Sequence, residues 1–251
     1  MKFEKNLHTL VWGSESWEIS AHNSSPSIIA DGCEKGRSLA EVEPKFPVLA
    51  KVIDAKTRLS VQVHPNERTA LVAGGEPKTE MWCVLESGPI YAGLKPGVGA
   101  AEVERAIADG KFEDILVKHD AKKYDTFFIP GGLVHAIGDG VKLYEVQQSS
   151  NTTYRLYDWG RVGADGKPRE LHVEKSLECI DFSLAVPEPV KDVKCKFFNF
   201  TQHDFTEERE VVAESDYLLI YEVDKALSTL LRRGEKAIVA PGRVFLTQVE
   251  K

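Results

Sequence analysis

The sequence predicts an all-β sandwich or barrel with few helices. Short runs rich in β-branched and aromatic residues follow each other closely, and Gly, Pro, Asn and Asp separate them. Alternating βαβ units would instead place a helical segment between successive strands. The strands predicted for the first part of the chain are Glu15–Ala21, Pro47–Ile53, Leu59–His64, Met81–Leu85, Pro89–Gly93, Asp125–Ile129, Val141–Gln147 and Thr153–Tyr157.

Helix signals are confined to short segments. Gly99–Asp109 has apolar residues at helical spacing and is followed by Gly110, a common helix stop. A second helix is predicted from about His172 to Ile180, and a single turn of helix at Glu113–Lys118. This small helical content agrees with the all-β prediction.

The best candidate for a domain boundary is Val186–Asp192, where two prolines and mixed charge suit an extended connector. We therefore predict a domain at 1–185 and a smaller β-rich region at 193–251. The strands predicted in that region are Lys194–Phe200, Glu210–Ala213, Tyr217–Val223 and Lys236–Val239.

The composition is that of a globular protein, with 42% hydrophobic and 28% charged residues. The net charge of -7 argues against binding to nucleic acid. No apolar run approaches the roughly 20 residues that cross a bilayer, and no secretory signal follows the N-terminus. Four scattered cysteines without CxxC pairs suit a reducing compartment, so we expect a cytoplasmic protein: Cys33, Cys83, Cys179 and Cys195.

The segment Leu59–Pro65 has an unusual pattern for a core strand. Alternation places Ser60, Gln62 and His64 on one face and the apolar residues Leu59, Val61 and Val63 on the other. Three polar side chains on one face suggest a binding site. An ordinary half-exposed strand is the alternative explanation of this pattern.

Further metal-ligand types stand on neighbouring strands. Glu80 begins the next predicted strand, and His135 follows the Pro-Gly-Gly turn at residues 130–132. Together with Gln62 and His64, they offer nitrogen and oxygen ligands without cysteine, a set that suits Zn²⁺ in an open catalytic site. For each histidine alone, a hydrogen-bonded structural role is the competing interpretation.

Several separated segments resemble the signature blocks of type I mannose-6-phosphate isomerases, and the match runs in order from about residue 12 to 161. The matching segments are Trp12–Ser20, Phe46–Ala55, Leu59–Asn66, Lys78–Trp82, Gly131–Gly138 and Tyr144–Trp159. The short bacterial branch of the family is the closer match. The resemblance implies a cupin-type antiparallel β-barrel (jelly roll), a few short helices and a smaller C-terminal β-rich region.

The resemblance also implies roles for individual residues. It makes Gln62, His64, Glu80 and His135 the ligands of one Zn²⁺ per chain. It places Arg155 beside the active site and Glu145 in the pocket as a candidate base. A surface ion pair of Arg155 with Glu145 or Asp158, and a strand-edge salt bridge of Glu145, are the alternatives.

Three more residues correspond to substrate contacts in the family. Ser60 matches a serine implicated in phosphate contact, and Lys78 matches a pocket cation. Arg161 stands where longer relatives carry lysine, which keeps the charge and changes the geometry. Each of the three has an alternative explanation as a solvated surface residue.

The function implied by the resemblance is the interconversion of mannose 6-phosphate and fructose 6-phosphate through an enediol-type intermediate. The expected partner is a small sugar phosphate, with no nucleic acid and no membrane, and the oligomeric state is open. Two other functions stay open. One is a non-catalytic cupin that binds a sugar phosphate, and the other is an isomerase or epimerase of the same architecture acting on another sugar.

Overall fold

The computed structural model describes residues 1–162 and 166–250, and it confirms the all-β prediction. The strands are β1 Leu7–Leu10, β2 Gly13–Ser20, β3 Val48–Ala55, β4 Val61–Val63, β5 Glu80–Glu86, β6 Gly88–Leu94, β7 Leu116–Ala121, β8 Thr126–Ile129, β9 His135–Ile137, β10 Lys142–Gln148, β11 Tyr154–Tyr157, β12 Val193–Lys194, β13 Asn199–Phe205, β14 Arg209–Val212, β15 Tyr217–Glu222, β16 Leu227–Arg232, β17 Lys236–Val239 and β18 Gly242–Val249. The α-helices are α1 Leu39–Val42, α2 Ala70–Ala73, α3 Ala100–Ala108 and α4 Val173–Cys179, with 3-10 helices at Phe112–Ile115 and Val223–Lys225. Among the described residues, none of these helices is long and apolar enough to cross a membrane.

The chain divides into two compact units. The first unit consists of residues 1–8, 16–51 and 190–251, and the second of residues 9–15 and 52–189. The last change of unit along the chain, between Pro189 and Val190, falls inside the connector predicted at residues 186–192. The first unit also contains residues 1–8 and 16–51 from the N-terminal part of the chain. The division into domains at 1–185 and 193–251 stays a prediction.

Two sheets form the second unit. One contains the end of β3 followed by β10, β5 and β8, and the other has the order β11-β4-β9-β6-β7. Trp82 and Leu143 of the first sheet and Ile90 and Ile137 of the second belong to one buried apolar cluster. The two sheets therefore face each other across a shared core, as the pleat places alternate residues of each strand inside.

The outer face of the second sheet is covered by helices. Val61, Val63 and Tyr154 of this sheet pack in one cluster with Val103 of α3 and Cys179 of α4. Gly99 precedes α3, and its N–H donates to the Glu102 carboxylate at 3.1 Å. That bond satisfies one of the free donors at the start of the helix.

The first unit has its own sheets and core. Its main sheet has the order β12-β13-β18-β15-β16, and β14 pairs with β17 in a separate ribbon. Val211 and Val239 of the ribbon share an apolar cluster with Leu218, Ile220 and Val244 of the main sheet.

Two local predictions were wrong. The turn of helix predicted at Glu113–Lys118 ends at Ile115, and β7 begins at Leu116, because Leu116 to Ala121 pair with β6. Leu59 does not share the outer face with Val61 and Val63 but belongs to the core between the sheets. Since β4 begins only at Val61, strict alternation does not extend back to Leu59.

Candidate metal centre

Three potential metal ligands stand at strand ends of the second unit. His64 directly follows β4, Glu80 is the first residue of β5, and His135 is the first residue of β9. A side chain at a strand end can turn toward neighbouring side chains while the rest of the strand keeps its hydrogen bonds in the sheet.

These three side chains converge. The Nε2 atoms of His64 and His135 lie 3.2 Å apart. The Glu80 carboxylate lies 3.4 Å from His135 Nε2 through Oε1 and 3.6 Å from His64 Nε2 through Oε2. One ligand atom from each residue lies within 4.8 Å of the others, so the group can hold a metal ion.

The hydrogen bonds of the two imidazoles define their tautomers. His64 Nδ1 lies 2.8 Å from the Thr152 carbonyl oxygen, and His135 Nδ1 lies 2.8 Å from that of Leu133. A carbonyl only accepts hydrogen bonds, so each Nδ1 must donate, and each Nε2 of the neutral ring keeps a lone pair. Metal-binding histidines use this arrangement, in which the far nitrogen is tied to a carbonyl or carboxylate.

The group is removed from solvent. The side chains of His64 and His135 are 1% exposed and that of Glu80 is 0% exposed. Burial lowers the pKa of His135 to about 3, mainly because the charged ring would lose its hydration. His135 is therefore neutral near pH 7 and available as a ligand.

Glu80 has a cation as its neighbour. Lys78 Nζ lies 2.7 Å from Glu80 Oε2 and 3.1 Å from His64 Nε2, and Lys78 is itself buried. Glu80 Oε1 has no hydrogen-bond donor among the described residues. A buried carboxylate oxygen without a donor, facing two imidazole lone pairs, fits a divalent cation as the missing partner.

Gln62 and Arg155 are aligned with His135 across the sheet. Gln62 is the register partner of His135 on one side and of Arg155 on the other. Residues directly opposite each other in neighbouring strands share a face, with Cβ atoms about 5 Å apart. The sheet therefore places Gln62 and Arg155 on the face that carries His135.

Glu145 lies in the neighbourhood of the same group. It is buried, and Trp82 Nε1 donates to its Oε2 at 3.0 Å. The Trp82 ring also contacts the His135 ring, with centroids 5.2 Å apart. In the pairing of β5 with β10, the register partner of Glu145 is Trp82, which lies two residues after Glu80 in β5. Glu145 is thus connected to the group through Trp82.

Arg155 is held by the chain after β11. Its Nη1 donates to the Glu170 carbonyl at 2.8 Å, and its backbone N–H donates to His172 Nδ1 at 3.1 Å. Burial lowers the pKa of Arg155, and the nearby Arg169 charge lowers it further. The guanidinium still remains charged at physiological pH. Its buried Nε has no acceptor among the described residues, so it can serve a bound ligand.

Ser60 and Arg161 are the other two residues predicted to contact the substrate. Ser60 is buried just before β4. Arg161 lines an open cleft of about 540 Å³ together with Arg58, Asp139 and Trp159. Its Nη2 donates to the Arg58 carbonyl, and its Nη1 lies 3.8 Å from Asp158. The structure thus joins Lys78 directly to the predicted ligands and places Arg161 in an open cleft.

Sequence reasoning missed the partners that orient the site. The Thr152 and Leu133 carbonyls, His172 and the buried Thr79 all contact the predicted site residues or their neighbours. Backbone carbonyls carry no side-chain signal. Thr79 stands between Lys78 and Glu80. Because threonine is common in strands, its residue type gave no signal of a role in the site.

Comparison with known proteins agrees with the fold. A family model described as phosphomannose isomerase type I, catalytic domain, matches residues 11–80. Mannose-6-phosphate isomerase ManA of Bacillus subtilis (strain 168) is 34% identical over 237 residues, which cover 82% of this chain and 74% of the relative. The mannose-6-phosphate isomerase of Streptococcus mutans serotype c is 35% identical over 210 residues, which cover 70% of this chain and 66% of the relative.

A solved structure has the same fold over the whole length. The crystal structure of the mannose 6-phosphate isomerase from Bacillus subtilis superposes with a TM-score of 0.80 at 24% identity, covering 99% of each chain. Fold and site together define an antiparallel β-sheet protein with a buried His-Glu-His group that can hold a metal ion. With the identity and coverage of its relatives, the chain belongs to the type I mannose-6-phosphate isomerase family.

Proposed function

We propose that this protein interconverts mannose 6-phosphate and fructose 6-phosphate with one zinc ion held by His64, Glu80 and His135. The observation that carries the proposal is the convergence of two imidazole Nε2 atoms and a buried carboxylate in a member of this family. Bound zinc would act as a Lewis acid toward the sugar oxygens. Gln62, aligned with His135, is the proposed further ligand.

Proton transfer is assigned to Glu145. Aldose–ketose exchange moves a proton between C1 and C2 of the open-chain sugar through an enediol-type intermediate. Glu145 is a buried carboxylate on β10, the strand that pairs with the β5 strand of Glu80. Glu145 is not a member of the metal-binding group. We assign it the removal of the proton from one carbon and its return to the other.

Arg155 and three further residues are assigned to the substrate. The charged guanidinium of Arg155 would stabilise negative charge that develops on the enediol oxygens. Its Nε, which has no acceptor in the described part of the chain, supports this role. Ser60, Lys78 and Arg161 are the proposed phosphate contacts, so that phosphate binding orients the reacting carbons.

The proposal assigns catalysis to residues 1–185 and no catalytic role to residues 193–251. All four proposed ligands, including Gln62, lie in the unit made of residues 9–15 and 52–189. The four cysteines form no disulfide within the described residues, which accords with the cytoplasmic location that we propose.

A coupled assay with mannose 6-phosphate tests the function. We expect turnover in the zinc-loaded protein, loss of turnover after chelation, and recovery when zinc is restored. Binding of mannose 6-phosphate without turnover would favour a non-catalytic sugar-phosphate-binding protein. Turnover of a different sugar phosphate only would favour the isomerase or epimerase alternative.

A further inference from the structure

The loop Pro130–Val134 runs from the strand that pairs beside Glu80 to the strand that begins with His135. It leaves β8 at Ile129, which is the register partner of Glu80, and it enters β9 at His135. The loop thus carries the chain from one sheet of the second unit to the other, directly beside the metal-binding group. Its position must influence where His135 stands relative to Glu80.

Three of this loop's hydrogen bonds join Gly131 and Gly132 to neighbouring segments, and we call these three the loop clasp. The Gly131 N–H donates to the Thr79 hydroxyl oxygen at 3.1 Å. The Gly132 N–H donates to the His64 carbonyl at 2.8 Å, and the Gly132 carbonyl accepts from the Asp181 N–H at 3.0 Å. Thr79 is the one member of the clasp that bonds through its side chain, so substitution of Thr79 can remove one bond selectively.

Thr79 is well placed to hold the loop. It is 5% exposed and directly precedes Glu80. Its N–H donates to Gln148 Oε1 at 2.9 Å, and its carbonyl accepts from the Gln148 N–H at 3.0 Å. Because its backbone is bonded on both sides to Gln148, its hydroxyl has a defined position toward Gly131.

Packing leaves the loop little room to move. A Cβ atom on Gly131 would lie 2.8 Å from the Pro65 carbonyl oxygen and 2.9 Å from Asn66 Cα. Both contacts belong to the segment that follows His64. The loop is therefore pressed against the His64 segment and tied to the Glu80 segment just before it leads into His135.

We propose that Thr79 is a positioning residue for the metal-binding group, whose hydroxyl sets His135 relative to His64 and Glu80 by holding the Gly131 amide. This inference rests on the proposed function in one respect, that these three residues bind a metal. Removing a group that orients a metal ligand typically weakens metal affinity about 10- to 100-fold. A residue that only stabilised the fold would leave the affinity of the folded protein unchanged.

The test compares T79V, which removes the hydroxyl at nearly constant volume, with T79S, which keeps it. A matched control is T247V in the first unit, because Thr247 is fully buried and its hydroxyl has no partner in the described part of the chain. The readout is the zinc dissociation constant of the full-length protein, measured by competition with a chromophoric chelator. We expect about tenfold or greater weakening in T79V, and a change of less than about threefold in T79S and T247V.

A second variant keeps the proposal testable if T79V does not fold. G131A must displace the same loop, so we expect zinc affinity to fall in this variant as well. In the T79V/G131A double variant the two losses should be less than additive, because both act on one contact. Faster amide hydrogen exchange of residues 130–134 in T79V than in T79S would give a readout independent of metal.

The outcomes separate this inference from the proposed function. If T79V binds zinc with wild-type affinity, the proposed role of Thr79 is overturned while the isomerase proposal stays intact. If T79V does not fold, wild-type zinc affinity in G131A has the same consequence. Equal weakening in T79V and T79S would also overturn it, since T79S keeps the hydroxyl. A wild-type protein that binds no zinc would refute the proposed metal site, and a zinc-loaded protein without turnover would refute the isomerase assignment alone.

Discussion

The Nε2 atoms of His64 and His135 lie 3.2 Å apart, each on a ring whose Nδ1 donates to a backbone carbonyl. Neither nitrogen of this facing pair carries a proton in the neutral rings, so no hydrogen bond can join them. The pair is stable only with a positive group between or beside the two nitrogens. Lys78 partly meets this need, and a bound divalent metal would meet it fully.

Substitution of His135 should abolish metal binding. In H135A, one of the three converging ligands is lost, and we expect zinc affinity and kcat/KM to fall by more than about 100-fold. Metal content by elemental analysis and the isomerase assay measure the two effects. H203A, which changes a histidine of β13 in the first unit, should keep both values. Stoichiometric zinc in H135A would contradict the assigned ligand set.

Arg155 should matter more for turnover than for binding. R155K keeps the positive charge but loses the fork of the guanidinium and its Nε donor, so we expect kcat to fall about 100-fold with a much smaller change in KM. Steady-state kinetics with mannose 6-phosphate measure both constants. R209K, at an exposed position of β14, is the matched control. A large rise in KM at unchanged kcat would instead assign Arg155 to substrate binding.

Glu145 should be required for proton transfer but not for metal binding. In E145Q, the amide oxygen can still accept from Trp82 Nε1, but the side chain cannot take up a proton. We expect kcat to fall about 10²- to 10⁴-fold and incorporation of solvent deuterium into the sugar to stop, with zinc content unchanged. E86Q, at the exposed end of β5, is the control. Continued deuterium exchange in E145Q would show that another group moves the proton.

The metal-free protein should lose stability in acid because of His135. Its pKa in the folded state is about 3, below the ordinary value of 6.5, so the unfolded chain binds the proton more readily between these values. The free energy of unfolding is therefore highest above about pH 6.5 and falls as the pH drops toward 3, by up to about 1.4 kcal/mol per pH unit. Urea denaturation with chelator present measures this slope. H135Q, which cannot titrate, should show a smaller slope, and equal slopes would contradict the assignment to His135.

Much of the local structure could be predicted from the sequence. The helix expected at Gly99–Asp109 is α3 with Gly99 as its N-cap, and the helix expected from His172 to Ile180 is α4 between those two residues. Lys236–Val239 is a strand with the predicted bounds. These segments have strong periodicity and clear end signals, which act over a few residues. At Glu113–Lys118 the pairing with β6 decided the structure instead, because a strand partner distant in sequence overrode the local preference.

The sequence pattern by itself singled out Gln62, His64, Glu80 and His135 as candidate ligands, whereas Arg155 and Glu145 were predicted only through the family resemblance. Only the tertiary structure decided their arrangement. The pairing of Gln62 with both His135 and Arg155, the carbonyls that orient the two imidazoles, and the Thr79–Gly131 bond all join segments far apart in the chain or use backbone atoms. Such contacts depend on sheet register and loop packing, which a single sequence encodes only through the whole fold.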